Sequence, residues 1–133
     1  MLAAQKVGLT GKLPPAKITD AMLDVVGVRP FVTSPAKKAL AAVNHLAFGG
    51  ACGALFGLGH ALLARRGPGA GAQSGGRVAA GVAFGTAVWA VSYAGWVPAL
   101  GIMPSPQNDR PGRPTAMVIA HWVYGAVLAK LVA

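Results

Sequence analysis

The chain has 133 residues, 54% of them hydrophobic and 11% charged. That balance argues against a soluble domain and for a chain that lives in lipid. Only Asp20, Asp24 and Asp109 are acidic, so the net charge is +9. The basic residues cluster at the ends of apolar runs instead of forming a stripe interleaved with aromatics, which points to phospholipid headgroups and away from nucleic acid.

Residues 1–10 read as the tail of an apolar helix that is too short to span a bilayer. Lys6 interrupts it early and no cleavage site follows, so the stretch does not read as a secretory signal. Residues 16–27 then predict a short amphipathic helix lying in the membrane interface. Ile18, Met22, Val25 and Val26 share one face, and Lys17, Asp20 and Asp24 lie off it. Thr19 is placed to cap this helix and Gly27 to end it.

A spanning helix needs about 20 apolar residues to cross about 30 Å of hydrocarbon. Three segments qualify, at 35–64, 77–97 and 114–132. The first follows Ser34-Pro35, an N-cap with proline at the first helical position. The second runs into Trp96, Pro98 and Gly101, which signal an interfacial exit with a kink or stop. Residues 65–76 form a Gly-rich loop, and residues 104–113 a Pro-rich one. Lone Cys52 lies within an apolar run and reads as a small packing residue. The expected fold is thus an all-α integral membrane protein with three full spans, part of a fourth, and an interfacial helix.

Taking the side that holds residues 10–38 as side X, eight basic residues (Lys6, Lys12, Lys17, Arg29, Lys37, Lys38, Arg110 and Arg113) flank it. Arg65, Arg66, Arg77 and Lys130 flank the other side, so side X leans cytoplasmic. His45-Leu46-Ala47-Phe48-Gly49 is echoed by His121-Trp122-Val123-Tyr124-Gly125. The simplest origin is a duplicated helix hairpin. His45 lies seven residues past Lys38 and His121 seven past Pro114, which places both roughly 10 Å inside the side X boundary.

Gly49, Gly53 and Gly57 repeat at helical spacing, as do Gly81 and Gly85. Such ladders let helix backbones approach closely, within the chain or against a partner subunit. His45 and His121 are ionisable groups in lipid, and with Tyr93 and Tyr124 they form a candidate ligand or polar cluster for a haem, a pigment or a quinone. The competing reading has each imidazole locking helix register by bonding to a backbone carbonyl or a neighbour such as Asn44 or Ser92. In the Pro-rich loop, Asn108, Asp109, Arg110 and Arg113 form either a docking surface for a partner or a well-braced turn.

No carboxylate pair, Ser/His/Asp set, Cys/His metal spacing or phosphate loop is present, so neither catalysis nor a metal or cofactor is expected. The main expectation is an accessory subunit of a larger respiratory or photosynthetic membrane complex. A binder of haem, pigment or quinone and a small oligomeric transporter are the alternatives.

The order of several motifs resembles small bacterial inner-membrane proteins of the YagU type. These are Pro14-Pro15-x-Lys17-Ile18-Thr19, His45-Leu46-Ala47-Phe48-Gly49, Trp89-Ala90-Val91-Ser92-Tyr93-x-Gly95-Trp96, Pro98-Ala99-Leu100-Gly101, Asp109-Arg110-Pro111-Gly112-Arg113 and His121-x-x-Tyr124-Gly125. The resemblance implies a four-helix protein of the bacterial inner membrane whose first helix precedes Met1. It implies no reaction or ligand.

Overall fold

A computed structural model describes residues 13–65 and 74–132. The fragment at 1–10 and most of the Gly-rich loop therefore lie outside the described residues. Helix α1 spans Pro14–Val25, α2 spans Ser34–Ala64, α3 spans Ser74–Val91 and α4 spans Arg113–Leu131. A π-helical turn at Ser92–Trp96 and a last turn at Val97–Ala99 extend α3. Short 3₁₀ turns occupy Arg29–Phe31 and Pro106–Asn108, and no strand forms among the described residues.

Three helices are long and apolar enough to cross a membrane: Ser34–Leu63, Gly75–Ala99 and Arg113–Leu131. Helix α2 starts one residue earlier than the Ser34-Pro35 signal suggests, because Thr33 is its N-cap and Pro35 falls within the first helical turn.

Helix α1 differs from expectation in its polarity. It begins at Pro14-Pro15 with Leu13 as N-cap, so Thr19 lies mid-helix and caps nothing. Instead the Thr19 hydroxyl accepts a hydrogen bond of 3.2 Å from Asn44 of α2. Asp20, expected on the polar outer face, is buried, with Arg29 at 3.7 Å. Arg29 also binds Asp24 at 2.8 Å. These polar partners draw Thr19 and Asp20 inward, so Val25, Val26 and Phe31 are left 89%, 71% and 83% exposed.

Gly27 ends α1 as expected, at φ +75°. The N–H of Gly27 bonds the Asp24 carbonyl and that of Val28 bonds the Leu23 carbonyl, which satisfies two carbonyls of the last turn. Gly101 repeats the device after Pro98 at φ +68°, with Gly101 bonding Pro98 and Ile102 bonding Val97.

The closest packing lies between α3 and α4. A Cβ added at Gly81 would meet the Gly125 carbonyl oxygen at 2.2 Å. One added at Gly85 would meet that of His121 at 2.1 Å, and one at Gly125 that of Gly81 at 1.9 Å. The two backbones therefore touch directly, which only glycine at all three positions allows. Trp122 adds a polar link by donating to Thr86 at 2.9 Å, while Thr86 donates to the Val82 carbonyl.

Gly49, Gly53 and Gly57 behave differently. They form a groove on α2 that takes side chains of α4 and of the residue that caps it: Tyr124 beside Gly49 and Gly53, Leu128 beside Gly53, and Val132 beside Gly57. Tyr124 also donates to the Gly49 carbonyl.

Gly125→Ala should destabilise the protein by about 1–3 kcal/mol, because a backbone oxygen cannot move aside as a side chain can. Gly50→Ala should be close to neutral, since no described residue lies within 4 Å of its added methyl group. Denaturation of both variants in mixed micelles checks the contrast.

Candidate functional site

Buried side chains concentrate where the α3/α4 hairpin meets the 104–113 loop. Tyr93, Val97, Met103 and Met117 form the core there, with Ile18, Trp89, Trp96 and Ile102 against it. Beside this core lies a cavity of about 320 Å³. Pro14, Pro15, Ile18 and Met22 of α1 form one wall, and Asn44, His45 and Phe48 of α2 another. The third comes from Ser92, Tyr93, Trp96 and Val97 of the π-helical stretch, with Met117 and His121 of α4. The size falls at the small end of ligand pockets, which run from about 300 to 1,000 Å³.

The wide turn helps shape this wall. Pro98 has no N–H to offer the helix, and the Val97 N–H reaches back five residues to the Ser92 carbonyl. The Ser92 hydroxyl in turn donates to the Val88 carbonyl.

Of the candidate cluster, His45, His121 and Tyr93 all line the cavity. Tyr124 does not, since it is engaged with Gly49 one turn further along. His121 Nδ1 lies 2.7 Å from the Met117 carbonyl oxygen. A carbonyl only accepts, so Nδ1 carries the hydrogen, and in the neutral ring Nε2 keeps a lone pair. His121 thus anchors register through Nδ1, and its Nε2 makes no hydrogen bond among the described residues. His45 is exposed on α2 and makes no hydrogen bond among the described residues.

No group of three or more His, Cys, Asp or Glu side chains gathers among the described residues. Two imidazoles at most could serve an iron or magnesium already carried in a macrocycle.

The Pro-rich loop is braced from within. Asp109 and Arg113 pair at 2.7 Å, and their side chains are 1% and 3% exposed. Tyr93 donates its hydroxyl hydrogen to Asp109, and the Arg110 N–H donates to the same carboxylate at 2.7 Å. Asn108 braces Ser105 at 3.2 Å. Of the four candidate docking residues, only Asn108 and Arg110 remain on the surface.

Burial by itself raises the Asp109 carboxyl. The hydrogen bonds from Tyr93, Arg110 and Arg113, together with the Arg113 charge, outweigh burial and hold the carboxyl below its ordinary range.

The residues that pattern reading did not single out as site residues include Met22, Asn44, Ser92, Trp96 and Met117 in the cavity wall and Gly125 in the helix contact. Gly125 carried a usable signal: Ala129 follows it at helical spacing, a small-xxx-small pair facing Gly81. The sequence matches no protein-family model, no curated protein and no solved structure.

Asp109→Asn should cost up to about 3–5 kcal/mol, because it removes the carboxylate charge that pairs with the buried Arg113 guanidinium. The wild-type carboxyl titrates lower in the fold than in the unfolded chain, so its stabilisation is full above the ordinary carboxylate range. It is lost as pH falls through that range toward the lower folded value. Thermal melts between pH 7 and pH 3 should show this loss in the wild type and a flatter dependence in Asp109→Asn.

Proposed function

We propose that this chain is a non-enzymatic, multi-pass protein of the bacterial inner membrane that binds a small lipophilic molecule in the cavity between α1, α2 and the α3/α4 hairpin. The observation that carries the reading is the convergence of His45 and His121 on a single, otherwise mostly apolar cavity. A ligand pocket has this form: apolar walls for affinity, with a few convergent polar groups for orientation. Ionisable residues at this depth are costly in lipid and suit a binding role. The same convergence supports a duplicated hairpin, since equivalent histidines of the two halves face one space.

In this reading α1 lies in the interface as a roof over the cavity. Val25, Val26 and Phe31 dip toward lipid, and side X faces the cytoplasm.

A second reading, an accessory subunit packed against partner chains, is favoured by α2. None of its apolar window is buried inside the fold, and a Cβ added at Gly50 or Gly59 would meet no neighbour within 4 Å among the described residues. That open small-residue side suits close approach by another helix.

Native mass spectrometry of the protein drawn from its own membrane in mild detergent tests both readings. The expected result is a chain carrying one small lipophilic adduct, which is lost in His45→Trp, where the larger side chain fills the cavity rim. A bare chain that co-migrates with heavier subunits would move the conclusion to the second reading.

A further inference from the structure

The polar side chains around the cavity have spent most of their hydrogens. Asn44 Nδ2 donates to Thr19 at 3.2 Å and contacts the Met22 sulfur at 3.8 Å. Ser92 donates to the Val88 carbonyl, Tyr93 to Asp109, and His121 Nδ1 to the Met117 carbonyl. What these groups still offer are lone pairs: Asn44 Oδ1, Ser92 Oγ and His121 Nε2. Among the described residues of the wall, no hydrogen bond engages His45 or the Trp96 indole N–H, which are left to donate.

A ligand group that only accepts, such as a ketone or an ether oxygen, would displace water from these acceptors without answering them. That carries a penalty. A hydroxyl meets both demands, donating inward and accepting at the rim.

The apolar walls and small volume suit one aromatic ring, with any alkyl chain running out into lipid. We infer that the cavity selects a lipophilic phenol or hydroquinone, with its hydroxyl donating to His121 Nε2. This rests on the pocket reading above and adds to it the chemistry of the occupant.

A matched pair of probes tests it: 4-octylphenol, which carries the hydroxyl, and 4-octylanisole, the same molecule with that hydrogen replaced by methyl. Equilibrium dialysis against wild-type protein in nanodiscs, corrected with empty discs, gives the affinity of each. The phenol should saturate at one per chain and bind about tenfold or more tightly than the anisole. His121→Phe should bring the two affinities together while keeping saturable uptake of the anisole.

Equal saturable binding of both probes to the wild type would overturn the selection for a hydroxyl and leave the pocket reading standing. No saturable binding of either would overturn both. Because the decisive comparison uses the wild-type protein, it does not depend on the variant folding.

Discussion

The direct contact of two helix backbones at Gly81, Gly85 and Gly125 is the constraint on which the other features depend. In lipid there is little hydrophobic force to bring helices together, so dispersion across a close interface and polar links must do it. Once α3 and α4 touch through these glycines, their relative rotation is set. Trp122 then falls opposite Thr86, and Met117 comes against Tyr93 and Val97. The His121 carbonyl is pressed against Gly85, while its imidazole reaches the cavity. The contact that holds the hairpin closed therefore also positions one of the two histidines.

Tyr93 connects the cavity to the loop. Its ring belongs to the cavity wall and the buried core, and its hydroxyl ends on Asp109. The ion pair of Asp109 with Arg113 clamps the loop to the first turn of α4, so the 104–113 segment is bound to the residues that line the cavity. A buried ion pair adds little stability compared with an apolar substitute, but losing one partner is expensive. Its value here is geometric, since it fixes where the hairpin turns.

Much of the architecture was legible in the residues. The three long apolar helices follow from run length alone, because no other backbone arrangement of this composition satisfies its own polar groups in lipid. Gly27 and Gly101 marked their helix ends because the required positive φ is a local property. Long-range pairings were not legible. Thr19 reads as a cap until Asn44, 25 residues away, is seen to claim its hydroxyl. The pairing of Asp109 with Arg113, four residues on, suits the braced turn expected of the Pro-rich loop, but its burial was not legible, since only the approach of Tyr93 and the core turns the pair inward. Similarly, the two glycine ladders look alike in sequence, yet one meets a backbone and the other receives side chains.

The way the hairpin is held has a thermodynamic corollary. Folding in water buries apolar surface, and the change in hydration gives unfolding its large heat capacity and a domed stability curve. Parting α3 from α4 inside a bilayer would expose glycine backbone and methyl groups to acyl chains instead of water, so that hydration change is missing. The separation should be governed by lost dispersion and weak Cα–H···O contacts, both enthalpic. For this contact, stability would fall steadily as temperature rises, with little curvature, and cold would tighten the hairpin where it loosens a water-soluble fold.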